Sequence, residues 1–206
     1  VYHSQTSGGP CSKINGSLVA SSNYTDTSVT NGVRYYYVVT AVDLASHESS
    51  YSNEASARPI GPPQTLLNDG FEGTPWDGNW NDNGITNWTL STTKYSGNYS
   101  AGHASGNTYL TSDNLSTFAA ENITVSFWFY VKSLTKGPLY VQTYNGTAYN
   151  NWYNLITYPG VKLDWVYFSE NITDSQYFRT DFRIRFDGST LTTNCYIDDV
   201  LVKINQ

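Results

Sequence analysis

The sequence predicts an all-β chain built as two successive β-sandwich domains, and three observations carry that prediction. Aromatic residues make up 16% and charged residues 14% of the 206 positions, with eighteen Tyr, sixteen Gly and no Met. Aromatic and β-branched residues fit pleated surfaces, while Asn, Gly and Ser supply turns. Apolar and polar residues alternate with period two, most clearly over NITVSFWFYVKS at 122–133, and no segment repeats at three and four over three helical turns. Short runs of this kind recur between Gly, Asn and Asp turns, which is the spacing of packed antiparallel sheets.

Residues 1–59 form the first domain. TSGGP and KING read as turns, and so does Asn31-Gly32. A strong strand follows over 35–42, with Tyr35, Tyr37, Val39 and Ala41 on one side and Tyr36, Val38, Thr40 and Val42 on the other. Tyr24-Thr25-Asp26, the Tyr-rich strand ending in Thr40-Ala41-Val42-Asp43, Glu48-Ser49 and Tyr51-Ser52-Asn53-Glu54 together resemble the second half of a fibronectin type III domain. The resemblance implies a partial sandwich in which Tyr35 is the corner tyrosine, bonding back to the chain just upstream. It also implies two earlier strands that precede Val1. Either an upstream segment supplies them or a strand from another copy completes the open sheet.

RPIGPPQ closes this domain and supplies a stiff, Pro-rich linker at 60–64. The second domain covers 65–206, with strands expected at 65–71, 86–91, 99–104, 109–112, 123–133, 139–144, 152–158, 163–168, 177–186 and 195–204. In the central one, Ile123, Val125, Phe127, Phe129 and Val131 make the core side, leaving Thr124, Ser126, Trp128, Tyr130 and Lys132 opposite. Gly70-Phe71-Glu72, Tyr95-Ser96-Gly97-Asn98-Tyr99-Ser100, the run 125–129, Phe182-Arg183-Ile184-Arg185-Phe186 and Tyr196-Ile197-Asp198-Asp199-Val200 occur in this order. Together they resemble the β-jelly-roll modules of the carbohydrate-binding and MAM-like group. That resemblance implies a jelly-roll β-sandwich whose first and last strands are neighbours. It further implies a structural Ca²⁺ between them at Asp69, Glu72, Asp198 and Asp199, helped by carbonyls around 96–98. The competing expectation is that these acids end strand pairing or bond a turn.

The functional question lies on the outward sides of the strands. Trp128 and Tyr130 share one such side, Tyr140, Gln142 and Tyr144 share another, and Arg183 and Arg185 alternate outward against Phe182, Ile184 and Phe186. Placed in one sheet, they would form an aromatic floor edged by amide and guanidinium groups, suited to stacking and hydrogen-bonding a sugar. The same surface would equally serve for packing against the neighbouring domain or the loop holding Trp76 and Trp80. Trp152 and Trp165 are expected in the core or between sheets.

Several classes are excluded or disfavoured. A net charge of −6 with no Lys/Arg run lacks the basic footprint of nucleic-acid binding, and no apolar stretch reaches the roughly 18 residues of a membrane span. His3, His47 and His103 are scattered, with no zinc-ligand spacing and no G-x-S-x-G turn, so catalysis is not expected. Sequons at Asn15, Asn23, Asn87, Asn98, Asn114, Asn122, Asn145 and Asn171 suit a secreted or cell-surface glycoprotein. Cys11 and Cys195 are open to three readings: one bridge constraining the unfolded chain by roughly 4–5 kcal/mol, two unrelated buried thiols, or pairing between chains. The expected function is non-catalytic attachment to carbohydrate or a cell surface, as the C-terminal part of a larger protein. Its rival is a structural subunit of a surface layer or filament, assembled by strand exchange between copies.

Overall fold

The computed structural model describes residues 1–73, 78–82, 87–104, 106 and 108–205. It divides into two compact units, Val1–Pro62 and Pro63–Asn205, the boundary falling between two adjacent prolines.

In the first unit, β1 (Tyr2–Ser4), β2 (Ser12–Lys13), β3 (Tyr35–Val38) and β4 (Ala55–Ala57) form one antiparallel sheet in the order β2-β1-β3-β4. The strand expected over 35–42 stops at Val38. Beyond it, serine hydroxyls take the donors that a ladder would use: Val39 N donates to Ser52 Oγ (3.0 Å) and Ala41 N to Ser49 Oγ (2.9 Å). Thr30 N donates to the hydroxyl of the buried Tyr35 (3.1 Å), tying the strand to the chain just upstream.

The second unit packs two sheets face to face. One contains β5 (Gln64–Asp69), β7 (Trp88–Ser91), β8 (Ser100–His103), β10 (Asn122–Val131), β13 (Val166–Ile172) and β15 (Cys195–Asn205), running β13-β10-β15-β8-β7 with β5 also paired to β15. The other contains β6 (Trp80–Asn81), β9 (Tyr109–Ser112), β11 (Tyr140–Tyr144), β12 (Tyr149–Asn154) and β14 (Ile184–Asp187), running β12-β11-β14-β9-β6. The first and last strands of the unit are neighbours, as expected.

The inward side of β10 is realised as expected, while Ser126 on the other side is buried too, at a register shift against β15. Ile123, Val125, Phe127, Phe129 and Val131 have no exposed surface. Phe127 stacks on Phe168 of its own sheet (centroids 4.5 Å apart) and meets Phe186 of the facing sheet edge-on (4.9 Å). Each such side chain stabilises the sandwich by about 1.5–3 kcal/mol.

Two expected strands are shortened by polar side chains that cap 3₁₀ turns. Asn154 Oδ1 accepts from Ile156 N (3.1 Å) and starts the turn Leu155–Thr157, so β12 lies at Tyr149–Asn154 rather than 152–158. Asp174 does the same for Ser175–Tyr177, and β14 begins at Ile184 rather than 177. β13 lies at Val166–Ile172 rather than 163–168.

Cys11 and Cys195 are both free thiols here. Cys195 is sealed in the core of the second unit, where burial pushes its thiol pKa up, and Cys11 belongs to the first unit. Of the sequon asparagines, Asn171 sits in β13, its Oδ1 accepting from Thr124 Oγ1 (2.7 Å). Asn122 is half-buried and accepts from Asn205 Nδ2 (3.1 Å). Among the described residues no helix is long and apolar enough to cross a membrane.

Candidate functional site

The polar surface of greatest interest grows outward from β14. Ile184 and Phe186 point into the core with no exposed surface, so Arg185 and Asp187 face outward, with Arg183 just before the strand. Arg185 lies opposite Gln142 on β11 and Thr111 on β9, and Asp187 lies opposite Tyr140 and Tyr109. Tyr144 N donates to Arg183 O (3.0 Å), which places those two side by side.

The two guanidiniums are layered against tyrosine rings. Arg185 lies 3.7 Å from the Tyr149 centroid and 4.1 Å from that of Tyr109; Arg183 lies 4.1 Å from Tyr144 and 5.6 Å from Tyr149. A buried amide fixes one of them, that of Arg185. Arg185 Nε donates to Gln142 Oε1 (2.7 Å), and Gln142 Nε2 donates to Asn151 Oδ1 (2.7 Å) and Asp187 Oδ2 (2.9 Å). Burial lowers the Arg185 pKa and raises that of Tyr149. Above this layer opens a cleft of about 560 Å³, whose lining also includes Asn81, Asp113 and Asn114.

The outer face of the six-stranded sheet is built differently. Trp128 is paired in register with Tyr167 on β13 and Asp198 on β15. Tyr95 lies flat on Trp128, centroids 3.7 Å apart with 13° between the planes, while Tyr130 packs against Tyr196 (5.6 Å) and Trp165 (5.9 Å). Acids hold Tyr95 there. Asp198, with no exposed surface, accepts from Tyr95 N (2.8 Å), Ser96 N (3.1 Å) and Asp199 N (2.8 Å). Asp199 accepts from Ser96 Oγ (2.9 Å), and Glu72 accepts from Asn98 N (2.7 Å) and Tyr99 N (3.0 Å). Gly97, at φ +56°, passes so close to Glu72 that any Cβ would overlap its carboxylate. Desolvation pushes the Asp198 pKa up to about 6, outweighing the backbone N–H groups that favour its charge.

These placements bear on three expectations. Trp128 and Tyr130 do not share a floor with Tyr140, Gln142, Tyr144, Arg183 and Arg185: they belong to different sheets, and the core lies between them. Trp128 is half-buried with one face covered by Tyr95. The four acids expected around a Ca²⁺ divide between two sets of hydrogen bonds. Asp69 is turned to Phe71 N (2.8 Å), Asn79 Nδ2 (3.2 Å) and Trp80 Nε1 (2.9 Å), apart from the 95–99 turn. Among the described residues no group of three or more His, Cys, Asp or Glu side chains is gathered to hold a metal. The carboxylates of Glu72 and Asp198 face N–H hydrogens, a poor match to a resident Ca²⁺, which needs free oxygen lone pairs.

The remaining aromatics divide. Trp76 lies outside the described residues, Trp80 is buried against Phe71 and Phe186, and Trp152 packs on Phe168. Trp165 is not a core residue but part of the outer aromatic face. His103 is buried against Trp88 (5.0 Å) and beside Gly188, and is not among the residues lining the cleft. Sequence reasoning missed Tyr109, Tyr149, Asn151 and Asp187. A signal existed for Tyr149 and Asn151: Asn145-Gly146, with Gly146 at φ +94°, makes the tight turn that pairs Tyr144 with Tyr149 and extends β12 back to it.

No family model matches the chain. An amylopullulanase of Thermoanaerobacter thermohydrosulfuricus is 50% identical over 62 residues, 30% of this chain and 4% of that enzyme. One of Thermoanaerobacterium thermosulfurigenes is 40% identical over 62 residues, 30% of this chain and 3% of the enzyme. The chain thus matches only a few per cent of the length of these curated relatives. Among solved structures, the C-terminal family 22 carbohydrate-binding module of Clostridium thermocellum Xyn10B covers 68% of this chain and 94% of its own, with 18% identity and a TM-score of 0.50. The CBM22-1 xylan-binding domain of Paenibacillus barcinonensis Xyn10C covers 68% and 94%, with 15% identity and a TM-score of 0.48. What the first of these shares with the chain is the fold: a nearly all-β sandwich of the kind seen in a carbohydrate-binding module.

Proposed function

We propose that this chain is a non-catalytic carbohydrate-binding segment of a larger secreted, polysaccharide-degrading enzyme, and that the glycan lies on the outer face of the five-stranded sheet. The observation that carries this reading is the open cleft over Arg183 and Arg185, whose guanidiniums lie against Tyr109, Tyr144 and Tyr149, with that of Arg185 fixed by the Gln142 amide. Such a cleft offers preset N–H donors and amide edges to sugar hydroxyls at little ordering cost. The carbohydrate-binding fold of the Clostridium thermocellum module and the partial match to amylopullulanases agree with it. The segment is read as non-catalytic because the carboxylate in the cleft lining is Asp113, whereas glycoside hydrolysis uses a pair. The first unit is read as a partial fibronectin type III spacer, supported by the bond from Thr30 N to the Tyr35 hydroxyl.

The test is affinity electrophoresis of the chain through gels containing xylan, pullulan or amylopectin. At least one polymer retards it, and Arg185→Ala relieves the retardation while the far-ultraviolet circular dichroism is unchanged. Free migration through every polymer sinks the reading.

A further inference from the structure

The arrangement of the cleft says more about its ligand than that it is a sugar. We propose that the glycan is acidic: a polysaccharide bearing uronic acid carboxylates, one of which is taken by Arg183 and Arg185. This rests on the glycan-binding reading of the same face.

Three observations converge. First, the tyrosine faces on which a neutral sugar ring would stack already carry cations. Arg183 covers Tyr144, and Arg185 lies between Tyr109 and Tyr149. What the cleft presents is therefore guanidinium N–H, and a planar fork of such donors matches a carboxylate better than a hydroxyl.

Second, neither cation is in an ion pair among the described residues; Asp181 and Asp187 act on them only through space. The ion pairs among the described residues involve His3, His47, Lys162 and Arg179, not Arg183 or Arg185. The neighbouring acids are engaged elsewhere: Asp187 accepts from Gln142 Nε2 and Ser189 N (2.9 Å), and Asp181 accepts from Arg179 Nε (2.8 Å). Asp113, exposed at the rim, is the acid left in the lining. Two adjacent guanidiniums on a chain of net charge −6 are a local reversal of sign.

Third, Arg183 Nε is sealed from solvent with no acceptor. An unmatched buried donor on a cation is costly, and an anion met by the cleft-facing part of the same guanidinium offsets that cost through its charge better than a neutral hydroxyl does. Arg185 shows a related tension, its pKa lowered chiefly by burial, against which Tyr149 and Asp187 act.

The experiment compares two polymers that differ in charge alone: glucuronoxylan and the same glucuronoxylan after carboxyl reduction, each titrated calorimetrically into the chain. The acidic polymer is expected to bind on the order of ten-fold more tightly at low salt, the preference shrinking as NaCl is raised. Arg183→Gln, checked for an unchanged melting temperature, should abolish the preference while leaving weak binding to both polymers. Equal affinity for the two polymers, or binding to pullulan alone, overturns the acidic-ligand inference and leaves the glycan-binding reading intact. Equal binding to poly-aspartate overturns it as well, since the cleft would then be a simple anion exchanger. Silence toward every polysaccharide overturns both.

Discussion

The two outer faces of the second unit start from similar materials, aromatic rings beside charged groups on adjacent strands, and end in opposite conditions. On the five-stranded sheet Arg185 lies between Tyr109 and Tyr149, Tyr149 also packs on Tyr144, and the layer is left open beneath a cleft. On the six-stranded sheet the best stacking surface, Trp128, is already stacked by Tyr95, which the buried Asp198 holds in place through the turn's own N–H groups. The difference teaches that exposed aromatic content alone does not locate a binding surface. What decides is whether the chain itself supplies the stacking partner. An acid placed under a turn closes a face, and bases placed between rings keep one open.

The largest expected effect is at the closing device. Asp198→Ala leaves the N–H groups of Tyr95, Ser96 and Asp199 without their acceptor, at about 1–3 kcal/mol for a buried group. Release of the turn uncovers Trp128, so its fluorescence shifts to the red while glycan retardation persists. The pH dependence gives a second reading. The Asp198 pKa rises on folding from its ordinary 3.8 to about 6, so its contribution is complete below the unfolded value and is lost as the pH rises through the folded one. At full extent that linkage is worth roughly 3 kcal/mol. Buried His103 acts in the opposite sense, its pKa lowered by desolvation, so its contribution is lost as the pH falls below 6.5. The comparison is therefore between the wild type and Asp198→Asn. Between pH 7 and pH 4 the wild type should gain stability relative to the variant, and parallel curves would remove Asp198 from the account.

Two substitutions then test the division of labour between the faces. Trp128→Ala removes the half-buried partner of Tyr95 and should cost about 2 kcal/mol of stability, below the 3–5 of a fully buried Trp, with glycan affinity unchanged. Tyr149→Ala should do the reverse. It strips the ring 3.7 Å from Arg185 and weakens glycan binding about ten-fold, roughly 1.4 kcal/mol, with a smaller loss of stability. Chemical denaturation and calorimetry on the same samples measure both quantities. If Trp128→Ala abolishes binding, the faces have been assigned the wrong way round.

Part of this was legible in the sequence, and the boundary of legibility has a physical reason. One buried face fixes a period-two pattern, which is why Ile123 to Val131 read correctly as core. The same pattern says which side of a strand is inward but not which of two facing sheets the strand joins. Trp128 with Tyr130 and Tyr140 with Tyr144 alternate alike, so their separation onto opposite faces carried no local mark. Arg183 and Arg185 were readable as outward from Phe182, Ile184 and Phe186, and the structure keeps them so. The stacking of Tyr95 on Trp128 was hidden because its cause, Asp198, lies 103 residues further along the chain.

The smallest expected effect concerns calcium at the closed face. Ca²⁺ takes six to eight oxygen ligands with lone pairs free to face it. Here Glu72 and Asp198 direct theirs at the amides of Tyr95, Ser96, Asn98 and Tyr99, and Asp69 is engaged with the Trp80 indole. The turn is thus closed by protein hydrogens occupying positions that a cation would need, and binding would require those amides to rotate away and carbonyls to take their place. The melting temperature should therefore be the same in millimolar CaCl₂ and in EDTA. A rise of several degrees with Ca²⁺ that is absent with Mg²⁺ and lost in Asp199→Asn would reverse this: the acids would then close the face through a metal, and the contrast between the faces would be one of cation against cation, bound on one side and built in as arginine on the other.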